Sequence, residues 1–399
     1  MKLKDEFKYS AIPALLIYCS IGSIYCWSLL YDYISPYVDG NITWAFSLSI
    51  FFLGLSSAIL GPLVKRNVRL STLITAILFG GGLILSGFAC EYNNRSLFLL
   101  GYGVFIGIGI GVGYLCPIKS LMMWFKSHMG LAIGLALTGF GLAKLIASPI
   151  LQFSIDNYGI SSTFKNAGVF YFVLILLASC LIRKSSKEEN YEKLSYERLK
   201  IWWKHRKELF LLPGLGTIWM IFFLNTTSGL AIISYERFFF SAAEIGIITG
   251  TILAAIFNSF GRFSLAWWSD SFKHEEKLLN LILSVSFISC LMAFAFSNFI
   301  PVAVLICNAG YGAMFSTMPI ILYRRYGIED ISEIFGLVLS STALSGLCGN
   351  QMANVMVGLP ESSYQTLMLI NVLLYGVALS LAVRLYDEAK EEEKLKVEK

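Results

Sequence analysis

Arg262 interrupts an apolar run eight residues ahead of Asp270, which puts its guanidinium about 12 Å along a helix from the polar edge of that run. Lys144, in GFGLAKLIASP, and Lys119, five residues before Trp124, interrupt two other runs. A charge at the centre of a bilayer costs roughly 3 kcal/mol even on lenient scales, so such a group must face protein or water. The chemistry open to Arg262 is anion recognition, because a planar guanidinium matches a carboxylate through two parallel hydrogen bonds. The structural alternative is an arginine spent on backbone carbonyls between packed helices. Lys144 has two readings, a second positive charge in the same cavity or a four-carbon stem that snorkels to the membrane surface. Snorkelling suits Lys119, which lies nearer the end of its run.

Other chemistries lack residues. Asp32, Asp270 and Glu333 stand at the ends of apolar runs, and His128, His205 and His274 lie between runs. Intramembrane proton relays use buried carboxylates or histidines, so exchange is expected rather than proton coupling. Basic groups without acidic partners also favour an anionic solute over a pumped cation. No nucleophile–base pair, carboxylate pair or metal-ligand spacing occurs, so no catalytic residue, metal or cofactor is expected. Cysteines 19, 26, 90, 116, 180, 290, 307 and 348 are scattered through apolar sequence without a CxxC pair. They read as small buried apolar residues.

The elements that must position these groups are membrane helices. The 399 residues are 56% hydrophobic and only 14% charged, with a mean hydropathy of +0.68, whereas a soluble domain carries about 25% charged residues. Apolar runs recur at about 9–33, 44–64, 71–90, 97–122, 129–153, 166–182, 209–234, 244–267, 278–297, 300–322, 334–357 and 364–386. Each is long enough to cross about 30 Å of hydrocarbon, and a helix satisfies its own backbone there. The first run follows Lys2, Lys4 and Lys8 with no small-residue cleavage site after it, so it is expected to be an uncleaved span.

With the N-terminus cytoplasmic, the outer loops hold Arg95, Lys165 and Arg237, while most of the chain's 31 basic residues fall on the cytoplasmic side. The positive-inside rule then places both termini in the cytoplasm. The net charge of +5 is explained by these loops and does not call for nucleic acid. The polar stretch RKSSKEENYEKLSYERLKIWWKHRK at 183–207 divides the chain. The expected organisation is a six-helix half over 1–182, a linker over 183–208, a second half over 209–386 and a charged tail over 387–399. Gly109, Gly111, Gly113 and Pro117 on the fourth run echo Gly310, Gly312 and Pro319 on the tenth, as two repeats would.

SIYCWSLL on the first run, with Tyr25, Trp27 and Ser28, resembles the YxWS pattern of the oxalate/formate antiporter family. That family is a branch of the major facilitator superfamily close to the monocarboxylate transporters. GIGIGVGYLCPI at 107–118, then MWFKSHMGLAIGLALTGFG at 123–141, is similar to its glycine-rich fourth span and its entry into the fifth. FFLNTTSGLAIIS at 222–234, NSFGRFSLAWWSD at 258–270 and Gly336-Leu337 follow in the family's order. Four departures stand out. GPLVKRNVRLS lacks the aspartate of the superfamily's loop after span two, having Val64-Lys65-Arg66, and Lys126-Ser127-His128 replaces an Asp/Arg-rich turn. Thr342 stands where the family's oxalate carrier has a lysine, and Asn258 where monocarboxylate transporters carry an acid.

The resemblance implies an all-α integral membrane protein of the major facilitator fold, twelve transmembrane helices in two halves. It implies Arg262 as an anion site and spans one, four, seven and ten as cavity walls. Tyr25, Trp27, Tyr114, Trp219, Tyr311 and Phe315 lie on those spans, where packing is their other use. Asn225, Ser228 and Thr342 could hydrogen-bond a carboxylate. The expected activity is alternating-access transport of a small organic anion, a monocarboxylate by preference, in exchange. A proton-coupled monocarboxylate symporter and a non-transporting sensor are the alternatives. The expected partners are the solute and membrane lipid, the expected state a monomer, and the expected place a bacterial inner membrane.

Overall fold

A computed structural model describes residues 5–38, 42–183, 205–272, 276–327, 330–356 and 362–397. Its long helices are α1 (Phe7–Ile34), α2 (Thr43–Arg66), α3 (Val68–Glu91), α4 (Arg95–Trp124), a merged Met129–Leu181, α7 (Leu215–Ile233), α8 (Ile247–Ser269), α9 (Glu276–Ala295), α10 (Ile300–Tyr326), α11 (Ile331–Met356) and α12 (Ser362–Val397). Met129–Leu181 is two passes, α5 and α6, which turn at Gly159 with φ of +76°. That left-handed backbone is open to glycine at no steric cost. Among the described residues ten helices are long and apolar enough to cross a membrane by length and composition, Met129–Leu181 counting once. Helix α8, 23 residues long, completes twelve passes.

Not all the passes are regular. Helix α1 opens with a π-helical turn at Phe7–Ala11 and tightens to a 3₁₀ turn at Gly22–Cys26. Such a change of pitch mid-span re-aims the side chains after it, and Tyr25 sits within it. Helix α12 runs on through Val397, so the charged tail expected at 387–399 continues the last helix as far as it is described. The linker expected at 183–208 lies mostly outside the described residues.

Helices α1–α6 and α7–α12 meet along two seams, α2 against α11 and α5 against α8. The first is built on small residues. A Cβ added at Gly54 would lie 2.5 Å from the Ala343 amide nitrogen, closer than real atoms approach, so only glycine lets these backbones touch.

Polar contacts tie both ends of the seams. At the end that carries the chain termini, the Asp270 carboxylate accepts from the amides of Gly130 and Leu131 at 3.0 and 3.1 Å. It thereby caps the free N–H groups of α5 from the last turn of α8. On the other seam, Lys65 pairs with Asp330 and, at 3.2 Å, with Glu333. At the opposite end Arg237 pairs with Asp32, and Asn350 donates to the Thr43 carbonyl at 3.3 Å.

Candidate functional site

Midway between those ends, Arg262 is fully buried on α8. Its Nε donates to Asn258 Oδ1, one turn earlier, at 2.9 Å, and Nη1 donates to the Tyr114 hydroxyl of α4 at 3.4 Å. Nη2 is buried without a hydrogen-bond partner. The guanidinium lies over Phe140 of α5 and Phe315 of α10, 4.9 and 5.6 Å from the ring centroids. Cation–π attraction of this kind stabilises a desolvated cation by about 2 kcal/mol. Among the described residues no carboxylate pairs with Arg262.

An aromatic shell surrounds it. Tyr25 of α1 and Tyr311 of α10 share a hydroxyl–hydroxyl hydrogen bond of 2.9 Å, which joins the two halves. The Tyr114 ring packs edge-on against Phe140 and Phe315 at 5.5 and 5.8 Å, and Phe222 of α7 packs on Phe315 at 4.9 Å. On α7, Asn225 follows Phe222 by three residues and precedes Gly229, whose backbone lies against the Tyr311 ring. The 3.6-residue period puts all three on one face. Asn225 is fully buried, and neither polar atom of its side chain has a partner. Ser28 and Ser228 are buried with unpartnered hydroxyls as well.

The structure thus gathers Arg262, Tyr114, Tyr25, Tyr311 and Phe315 into one cluster, with Asn225 beside it. Other candidates fall elsewhere. Trp27 stacks on Phe46 and packs on Tyr102 inside the first half. Trp219 donates to Ser340 at 2.9 Å and stacks on Phe223. Thr342 bonds its own helix at the Leu339 carbonyl, 2.6 Å away, in the α2–α11 seam.

Lys144 follows neither of its sequence readings. It is buried against Glu236, which is itself fully buried at the start of the short helix Glu236–Ala242. The expectation that the buried basic groups lack acidic partners therefore fails for Lys144. Glu236 escaped notice because it stands two residues beyond the seventh apolar run, where sequence reads as an external loop. The chain folds back there and buries it. Phe140 was missed for a different reason, since one phenylalanine in an apolar span carries no distinguishing signal.

His205, Asp330 and Glu333 place ligand atoms within 4.8 Å of one another. Lys65 pairs with both carboxylates of that group, so an ammonium already supplies the charge that a metal would bring.

The sequence pattern of the Major Facilitator Superfamily matches residues 9–350. The uncharacterized MFS-type transporter YhjX of Escherichia coli (strain K12) is 24% identical over 84% of this chain and 85% of its own length. The apicoplast pyruvate carrier 1 of Toxoplasma gondii is 23% identical over 74% of this chain and 64% of its own. Monocarboxylate transporter 9 of Rattus norvegicus matches 36% of this chain and 28% of its own at 27% identity. Among solved structures, the transporter FucP in its outward conformation superimposes with a TM-score of 0.64 at 17% identity, over 92% of this chain and 97% of its own. A buried cation between two six-helix halves, and a family match over most of the chain, agree on one assignment: this protein belongs to the Major Facilitator Superfamily and is a multi-pass membrane transporter.

Proposed function

We propose that the protein carries a small organic anion, preferably a monocarboxylate, across a membrane by alternating access of its two halves about Arg262. One observation carries this reading: a fully buried guanidinium with an unpartnered Nη2 and, among the described residues, no carboxylate paired with it. A buried charge left uncompensated costs several kcal/mol, and a carboxylate arriving from water would answer it through the charge-assisted bonds that arginine makes best. The aromatic walls suit a small apolar body behind the carboxylate, and the unpartnered amide of Asn225 offers a further polar contact. Relatives named as a pyruvate carrier and a monocarboxylate transporter support the same solute class. The basic bias of the loops supports termini in the cytoplasm.

Exchange of one anion for another needs only Arg262. Proton-linked net uptake is the second reading, and the buried Glu236 favours it by supplying the carboxylate that the apolar runs lack.

The test is counterflow of labelled lactate in proteoliposomes. Arg262→Gln abolishes it, because the anion's charge then goes unanswered in a low-dielectric site. Arg262→Lys retains less than about a tenth, since the fork is lost. Normal counterflow by Arg262→Gln, at normal membrane insertion, would show that Arg262 is packing.

A further inference from the structure

Beyond the anion site, a buried charged pair spans the two halves. Lys144 comes from α5 and Glu236 from the segment after α7, and the side chains are 5% and 0% exposed. Glu236 Oε1 takes the Lys144 ammonium. Oε2 is buried with no hydrogen-bond partner. A carboxylate in that position is half satisfied. One oxygen is fully committed, and the other is an acceptor without a donor.

The surroundings are sparse in charge. From α1, Cys26 faces the pair, with its thiol against Ser148 at 3.5 Å and near the Lys144 carbonyl at 4.0 Å. From α10, the neutral side-chain amide of Asn308 is a hydrogen-bonding neighbour of Glu236. The facing stretch of α8, residues 247–257, reads IITGTILAAIF and has no titratable group. On its own helix the neighbour is Arg237, which turns to the rim and pairs with Asp32, 66% exposed. Tyr31 and Phe238 pack on Arg237 there. Among the described residues Lys144 is the charged group that answers Glu236, with the neutral amide of Asn308 beside it.

We infer that Glu236 binds the proton that travels with the anion, and that Lys144 is the group it releases on doing so. The inference rests on the anion reading of Arg262. Parting the halves at this end must separate Lys144 from Glu236, because they belong to opposite sides of the seam. Separating a buried pair with both charges intact is strongly unfavourable. Water enters as the end opens, and a proton from that water can take the oxygen that Lys144 leaves. The proton adds one positive charge to the core and a monoanion on Arg262 removes one. Proton and monoanion together therefore leave the buried charge as it is in the empty carrier. Either ligand alone changes it by one unit in a medium where such a change is costly.

The experiment compares two activities of the same proteoliposomes, counterflow of labelled lactate and its accumulation under an inward pH gradient. The wild type is expected to do both. Glu236→Gln is expected to keep counterflow within about threefold while gradient-driven accumulation falls at least tenfold. Should that variant insert poorly, with Lys144 left unpaired, the double variant Lys144→Gln/Glu236→Gln removes both charges together and is expected to show the same split. Accumulation by the double variant at the wild-type level would overturn the inference, as would loss of both activities in parallel. Wild-type counterflow with no response to a pH gradient would overturn it while the anion reading stands. Absence of wild-type counterflow with any small carboxylate would remove the anion reading and this inference together.

Discussion

Asn258 and Arg262 stand one turn apart on α8, and the amide of the first orients the guanidinium of the second. Asn258 Oδ1 accepts from Arg262 Nε at 2.9 Å, and Asn258 Nδ2 donates to the Asn308 carbonyl of α10 at 3.0 Å. The α10 bond fixes which way the amide faces, so its oxygen rather than its nitrogen meets the cation. The amide thus holds the arginine without neutralising it. A carboxylate there would do both, and would meet the Asn308 carbonyl with an acceptor where a donor is needed.

Asn258→Asp is therefore expected to raise the KM for lactate counterflow at least tenfold, because an internal anion then competes for the guanidinium. Asn258→Ala removes the orienting bond but adds no charge. A hydrogen bond to a charged group contributes about 1.5–3 kcal/mol, much of which a flexible arginine can recover elsewhere, so about a threefold rise is expected. Equal losses in the two variants would show that orientation alone matters and that the open charge of Arg262 does not.

The contact between Lys65 and α11 makes a second expectation. The loop after α2 lacks the superfamily aspartate, and the tie across the seam there has Lys65 as the cation and Asp330 and Glu333 as the anions. Burial alone would raise the Asp330 pKa, but Lys65 and His205 outweigh it and hold the carboxyl below its usual range. A depressed folded value means that the stabilisation is present above the unfolded value, about 3.9 for aspartate. It is lost only as pH falls through the folded value. The Lys65–Asp330 tie should therefore stay intact between about pH 5 and 8. Lys65→Glu should open this end, seen as faster maleimide labelling of a cysteine placed at Ser332, and Lys65→Glu with Asp330→Lys should slow the labelling again. Labelling that stays fast in the double exchange would show that the pair does not hold the end shut.

How much of this was legible depends on the kind of signal. Twelve passes and their division follow from hydrophobic runs, and Arg262 declared itself because an arginine deep in a span has few bland explanations. The Asp270 tie was half visible. Its aspartate and the Gly130-Leu131 start of α5 were each noticed as motif fragments, but that one caps the other is a fact of tertiary packing. Glu236 was illegible because burial there is made by the chain folding back after α7, not by local hydrophobicity. Trp27 and Trp219 were placed in the cavity by span number alone, and span number does not say which face of a helix a ring takes.

The strongest consequence of the Lys144–Glu236 pair concerns the charge of the solute. Lys144 was the obvious source of a second cation for a dianion such as oxalate, and while the halves are together at this end Glu236 neutralises it. Thr342, which offers a hydroxyl but no charge, bonds its own helix and lies 2.6 Å from where a Cβ on Gly54 would be, so the seam leaves that position little room. Arg262 is then the cation in this cluster that no carboxylate answers among the described residues. A monoanion is neutralised by it. A dianion leaves about one unit of charge unpaired away from water, a cost of several kcal/mol. Since about 1.4 kcal/mol is tenfold in affinity, lactate- or formate-like anions should compete with labelled lactate at least a hundredfold more strongly than oxalate at neutral pH. Glu236→Gln should narrow that gap, because it frees the Lys144 charge. Oxalate competing as well as lactate in the wild type, and losing that ability in Lys144→Gln, would show that Lys144 leaves Glu236 to meet the solute and that the preference runs the other way.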